Sequence, residues 1–191
     1  MTDRFLDGKA ALVTGGSRNL GAAISSALAE RGATVAVNYH SSERDAEDLV
    51  ASLPGAGHVA VAGDCGTPQG VEALVTGAVA ALGSPIQVLV NNYGPFSMTP
   101  FAEMPEEEFR RIFDANVTAA YIATKAVVPG MREAGWGRIV NMSAGSANLR
   151  NHSIYSLAKA AMVTLTETLA LELGPEILVN CVSPGLSLIH I

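Results

Sequence analysis

The sequence predicts an α/β fold, a doubly wound parallel sheet of Rossmann type in a single domain. Three observations carry that expectation: short β-branched runs alternate with longer Ala-rich stretches of helical period, the runs are apolar on both faces, and glycine or proline punctuates most of the joins. The 191 residues are 49% hydrophobic and 16% charged, enough apolar material for one buried core, which excludes intrinsic disorder.

Taken in order, a first strand is expected at Ala10-Ala11-Leu12-Val13, followed by a helix over 20–31. Thr34-Val35-Ala36-Val37 and a helix over 43–52 come next, then His58-Val59-Ala60-Val61 and a helix over 68–82. Gln87-Val88-Leu89-Val90 forms the fourth strand, and the period that follows predicts one long helix over 106–133. Arg138-Ile139-Val140-Asn141, a helix over 154–173 and Leu178-Val179-Asn180-Cys181 complete the pattern. Breaks fall at Gly32, Pro54-Gly55, Gly83, Gly135 and Gly174-Pro175. Near-continuous apolar strands imply a sheet covered by helices on both faces. No repeat, low-complexity stretch or linker divides the chain.

With 12 basic and 18 acidic residues the net charge is -6, so a nucleic acid backbone or an anionic lipid surface is repelled. The two cysteines, Cys65 and Cys181, lie in apolar strand-like settings and read as buried free thiols, with no disulfide framework and no metal site. The segment Met1 to Asp7 lacks the apolar stretch of a signal peptide, and no apolar run approaches a membrane span. The expectation is a cytoplasmic protein whose partner is a small molecule.

In an open parallel sheet, ligands bind beyond the carboxyl ends of the strands. After the first strand stands Thr14-Gly15-Gly16-Ser17-Arg18-Asn19-Leu20-Gly21, where glycine allows close backbone approach and a helix N-terminus offers N–H groups to a pyrophosphate. Simple turn chemistry is the competing reading. After the second strand, Asn38-Tyr39-His40-Ser41-Ser42 has no acid for a free ribose 2′-OH. Arg18, with Asn38, His40 and Ser41, instead suits a 2′-phosphate, so NADP(H) is favoured over NAD(H); ordinary solvated loop residues are the alternative. Gly63-Asp64-Cys65 puts a carboxylate at the sheet edge, for an adenine amino group or for a turn. Asn91-Asn92-Tyr93-Gly94-Pro95 follows the fourth strand.

After the fifth strand, Ser143 precedes Tyr155 and Lys159, which share a helix face. A phenol ordinarily titrates near pH 10, and an adjacent ammonium lowers that value, which would fit Tyr155 for proton transfer at neutral pH. The same spacing recurs at Tyr121 and Lys125, but Phe109 stands where a serine would be needed, so Tyr121 is expected in the core.

On these residues, together with Asn116, Asn180 and Pro184-Gly185, the stretch from Lys9 to Gly185 resembles the short-chain dehydrogenase/reductase family, most closely its 3-oxoacyl-carrier-protein reductase-like members. The resemblance implies an NADP-dependent oxidoreductase in which Tyr155 protonates a carbonyl oxygen, Ser143 holds that oxygen, and Lys159 holds the cofactor ribose. Asn116 would anchor a water in a proton relay, or else be a kink or packing residue. Gly15, Ser17, Arg18, Asn19, Leu20 and Gly21 would cradle phosphates, and Asp64, Cys65, Asn92, Tyr93, Gly94, Pro184 and Gly185 would complete the cofactor site.

This chain departs from the family pattern at several points. Asn19 replaces the middle glycine of the turn, Tyr93 replaces an alanine near the expected nicotinamide ribose, and Ser143 is followed by Ala144, with Ser146 as a second candidate and loss of the role as a third reading. Residues 1–185 are expected to form the NADP(H)-binding domain, incomplete at its C-terminus. Residues 186–191 read as a non-native tail, with Ile189 where a threonine would grip the nicotinamide carboxamide, and the sixth strand is then an uncovered edge. The parent of such a chain would be a homotetramer, the truncated form a dimer.

Three activities compete: reduction of 3-oxoacyl thioesters or similar ketones, a pteridine reductase-like reaction suggested by Tyr39-His40-Ser41 and Pro95 to Pro100, and nucleotide binding without turnover.

Overall fold

The structure, a computed structural model, describes residues 3–145 and 153–185. Six strands, β1 (Ala10–Val13), β2 (Thr34–Tyr39), β3 (Val59–Ala62), β4 (Val88–Asn91), β5 (Gly137–Met142) and β6 (Ile177–Val182), form one sheet in the order β3-β2-β1-β4-β5-β6. Every pairing is parallel, with Leu12 opposite Ala36 on one side and Leu89 on the other. The order reverses between β1 and β4, and this is where a crevice must open at the carboxyl ends of the strands.

The helices are α1 (Asn19–Glu30), α2 (Glu43–Ser52), α3 (Pro68–Leu82), α4 (Glu106–Phe113), α5 (Ala119–Glu133) and α6 (Ile154–Leu173). Two buried clusters cover the two faces of the sheet. Leu12, Leu74, Ile86, Leu89, Met131 and Ile139 pack under α3 and α5, and Val13, Ala29, Val35, Val37, Ala46 and Val88 pack under α1 and α2. Each is apolar because each strand alternates its side chains between the two layers. At α3, local chemistry sets both ends: Thr67 caps its first turn by accepting from the Gly70 N–H, and Gly83 closes it at φ 66°.

One element differs from expectation. The helix expected over 106–133 is interrupted by a π-helical turn, Asp114–Thr118, between α4 and α5. Inside it the Asn116 carboxamide donates to the Ile112 carbonyl at 2.9 Å and to the Pro95 carbonyl, outside the helix, at 3.1 Å. The widened turn lets a buried side chain serve two backbone acceptors at once. Tyr121 also departs from expectation, lying 48% exposed, because α5 buries Ala120, Ala123, Thr124 and Val127 and turns position 121 outward. Among the described residues β6 is a sheet edge, with Leu178 and Val182 exposed.

Candidate active site and cofactor cleft

Where the strand order reverses, a cleft of about 300 Å³ opens, lined by residues 15, 17–21, 38–42, 63, 65 and 92–94. Gly15, Ser17, Arg18, Asn19, Leu20, Gly21, Asn38, His40, Ser41, Cys65, Asn92, Tyr93 and Gly94, all anticipated from sequence, border it. Asn19 takes the left-handed conformation at φ 49°, which an asparagine tolerates in place of glycine. A Cβ on Gly21 would overlap the Gly15 carbonyl oxygen and stand 2.9 Å from Asn92 Nδ2. No side chain caps α1, so its first N–H groups remain available to an anion. This backbone cradle fits a dinucleotide pyrophosphate.

The cleft is held open from below. Thr14 Oγ1 accepts from the Asn92 and Tyr93 N–H groups at 3.0 and 3.1 Å, and Asn92 Nδ2 donates to the carbonyls of Thr14 and Gly15 at 3.0 and 3.1 Å. Asn38, expected to reach a 2′-phosphate, has its carboxamide taken up by the frame. Its Oδ1 accepts from the Gly15 N–H at 2.8 Å and the Cys65 thiol at 3.2 Å, and its Nδ2 donates to the Val61 and Gly63 carbonyls. Cys65 is likewise a wall residue, its thiol pushed up to about 12 by burial and the nearby Asp64 carboxylate.

The end of the cleft beside β2 and α2 carries the charges. The Arg18 guanidinium lies 3.9 Å from the Asp45 carboxylate, both half exposed, and the Ser17 and Ser42 hydroxyls share a hydrogen bond at 2.8 Å. His40 Nδ1 stands 4.0 Å from Asp64 Oδ1, which also accepts from the Gly66 N–H at 2.8 Å, so Asp64 makes the turn that was its alternative reading. Ser42 and Asp45 were not singled out from the sequence. Their signal, a serine and an acid opening α2, is the ordinary signature of a helix start.

Tyr93 lines the cleft, and its phenol reaches toward Gly66, where a Cβ would sit 3.9 Å from the hydroxyl, so its tip borders the turn that follows β3. Burial, with Cys65 and Asp64 near, holds its phenol above its ordinary value.

Beyond Gly94, β4, β5, α6 and the π turn bring Asn116, Ser143, Tyr155 and Lys159 together. A Cβ on Gly94 would overlap Asn116 Oδ1 and stand 3.0 Å from Lys159 Nζ, so both polar ends border one small space that glycine leaves clear. Lys159 is buried and donates to the Met142 carbonyl at 2.9 Å. Burial pushes its ammonium down to about 8, with the Cys181 thiol acting the other way. Asn116 Oδ1 is buried and has no hydrogen-bond partner among the described residues, which leaves an acceptor free beside Lys159.

Two expectations change here. Tyr155 is half buried, its ring 4.8 Å from that of Phe96, and burial raises its phenol where the Lys159 charge was expected to lower it. Lys159 Nζ stands 5.6 Å from the Tyr155 ring centroid, and desolvation outweighs a charge at that range. Ser143 is buried, and its hydroxyl donates to the Lys159 carbonyl at 2.7 Å, so its proton points into α6. Ser146 and the tail 186–191 lie outside the described residues. Pro184 and Gly185 do not border the cleft, and the Pro184 carbonyl accepts from the Gly145 N–H at 2.8 Å, tying the ends of β5 and β6 together.

A doubly wound parallel sheet with a glycine-rich first turn, a phosphate cradle and a Tyr–Lys pair at the neighbouring strand ends defines an oxidoreductase of nicotinamide-binding type. The family model described as short chain dehydrogenase matches residues 9–188, and the chain belongs to that family. An uncharacterized oxidoreductase from Methylorubrum extorquens is 42% identical over 185 residues, 94% of this chain and 73% of its own length. A blue fluorescent protein from a metagenomic library, solved in complex with NADPH, has a TM-score of 0.84 at 36% identity, covering 94% of this chain and 75% of that one. A 7α-hydroxysteroid dehydrogenase complexed with NADH and 7-oxo glycochenodeoxycholic acid has a TM-score of 0.89 at 32% identity, covering 96% of this chain and 73% of that one. Among the described residues no helix is long and apolar enough to cross a membrane, and no cluster of His, Cys, Asp or Glu is suited to a metal.

Proposed function

We propose that this chain is the dinucleotide-binding and catalytic domain of an NADP(H)-preferring carbonyl reductase. The observation that carries the reading is the juxtaposition, around Gly94, of the phosphate cradle with buried Lys159 and the orphaned acceptor of Asn116. The cradle from Gly15 to Gly21 binds the pyrophosphate, and Arg18, Ser17 and Ser42 meet a 2′-phosphate, which a guanidinium and hydroxyls suit better than a bare ribose. Lys159 holds the ribose hydroxyls on the nicotinamide side. A bound nicotinamide supplies the hydride. Tyr155 gives its phenolic proton to the carbonyl oxygen, and Asn116 Oδ1 holds a water through which that proton is restored by way of Lys159. Ser143 contributes only after its hydroxyl leaves the Lys159 carbonyl.

The substrate is a ketone. A 3-oxoacyl thioester is one class, suggested by the family resemblance. A ring ketone is another, supported by the 7-oxo steroid bound in the similar dehydrogenase. A pteridine and nucleotide binding without turnover remain the competing readings.

The test is a fluorescence titration with NADPH and NADH, with Arg18→Ala in parallel. Saturable binding that favours NADPH and weakens in the variant supports the reading, and equal affinity for both cofactors sinks the preference. Oxidation of NADPH by a ketone, absent in Tyr155→Phe, supports the catalytic assignment.

A further inference from the structure

The segment after β4 carries three large apolar side chains that the core does not use. Phe96, Met98 and Phe101 are 60%, 79% and 86% exposed. Phe96 meets Tyr155, and exposed apolar surface beside a polar side chain is a mark of a ligand-binding groove. The segment is also pinned. Buried Ser97 donates to Glu108 Oε1 at 2.6 Å, Thr99 donates to the same oxygen at 2.9 Å, and the Thr99 N–H returns to Ser97 Oγ at 3.2 Å. On its other side Asn116 Nδ2 holds the Pro95 carbonyl at 3.1 Å. Phe96 therefore stands between two anchored points, and its ring meets Tyr155 at 4.8 Å with an interplanar angle of 74°. Most of its surface remains open beside the phenol that delivers the proton.

From this geometry we infer that Phe96 is a specificity-determining wall that selects flat ring ketones, with Glu108 as the positioning residue that sets it. A fused-ring ketone with its oxygen at the Tyr155 hydroxyl covers the Phe96 ring, and aromatic surfaces gain from offset or edge contact beyond the area they bury. An acyclic 3-oxoacyl group reaches Tyr155 without covering that ring. The inference rests on Tyr155 as the proton donor, so its test has one arm that does not need turnover.

In the first arm, 2-naphthol is titrated into the chain, Phe96→Ala and Phe96→Leu. Saturable binding that weakens about tenfold in Phe96→Ala and less in Phe96→Leu is expected; no binding, or equal binding by all three, overturns the wall. In the second arm, kcat/KM is compared for 2-tetralone and ethyl acetoacetate with NADPH. The ratio should favour 2-tetralone, fall about tenfold in Phe96→Ala, and fall through KM in Glu108→Ala. Glu108→Gln should restore it, because its amide oxygen still accepts from Ser97 and Thr99. A ratio that favours ethyl acetoacetate, or that is unmoved by Phe96→Ala, overturns the inference. If neither ketone is reduced, the proposed reductase activity fails for these substrates, and the naphthol titration alone decides the wall.

Discussion

The two halves of the crevice are built differently. In the half on β1, β2 and the turns that follow them, the frame is complete within itself: Asn38, Thr14 and Asn92 satisfy backbone groups across three strands around the glycine turn. In the other half, on β4, β5 and α6, the polar side chains turn inward. Lys159 and Ser143 donate to carbonyls, Tyr155 rests on Phe96, and Asn116 keeps an acceptor with no partner among the described residues. A cradle of backbone N–H groups is fixed by the fold and needs no rearrangement to bind. The side chains of the other half are held out of water, at a desolvation cost visible in the depressed Lys159 and the raised Tyr155.

The sharpest break of this contrast is Tyr155→Phe. It keeps the ring against Phe96 and should leave NADPH affinity within about twofold while lowering kcat by about 10² to 10⁴, as loss of a positioned proton donor does. Steady-state kinetics beside a binding titration measure both.

The cost of holding Lys159 is read from stability against pH. Its pKa is about 8 in the folded protein against 10.5 when free, so the unfolded chain binds more protons between those values. Below about 8 both states are protonated and the full penalty, on the order of 3 kcal/mol, is present. It is relieved as pH rises toward 10.5, so folding stability should increase over that interval. In Lys159→Met that increase should vanish, as urea denaturation at pH 7.0 and at roughly pH 9.5 would show; a variant that tracks the parent at both values would place the charge elsewhere.

Gly21→Ala attacks the other half. The added methyl meets the Gly15 carbonyl and the Asn92 amide, and NADPH affinity should fall at least about tenfold with Tyr155 untouched. The smallest effects belong to the exposed pair at the end of the cleft beside β2 and α2. Arg18→Ala should weaken NADPH by about tenfold and NADH little, whereas Asp45→Asn, which removes an acid 3.9 Å from the guanidinium, should tighten NADPH by roughly two- to threefold, as an exposed pair allows. Isothermal titration at two salt concentrations separates these charge effects from packing, since only the former are screened.

Much of this was legible in the chain itself. The strand β1 and the helices α2, α3 and α6 coincide with their sequence reading because alternation of apolar runs with glycine punctuation is a local signal. The other strands begin or end within a residue or two of it, since pairing with a neighbour extends a strand past its β-branched run. The π turn was not legible, because an asparagine inside an amphipathic helix gives no sign of the Pro95 carbonyl that will reach it across the fold. Nor was the clamp of Glu108 on Ser97 and Thr99, which pairs a helix acid with a loop of ordinary composition.

By itself the sequence determined the order of elements, the family, the glycine cradle and the Tyr155/Lys159 pair, since each depends on residue type at short separation. Tertiary structure alone decided what those side chains do at rest: Asn38 and Cys65 became wall, Tyr93 swung toward β3, Ser143 bonded into α6 and the Tyr155 phenol rose instead of falling. Hydrogen-bond partners and burial come from segments far apart in the chain, and a pKa is the sum of those distant surroundings.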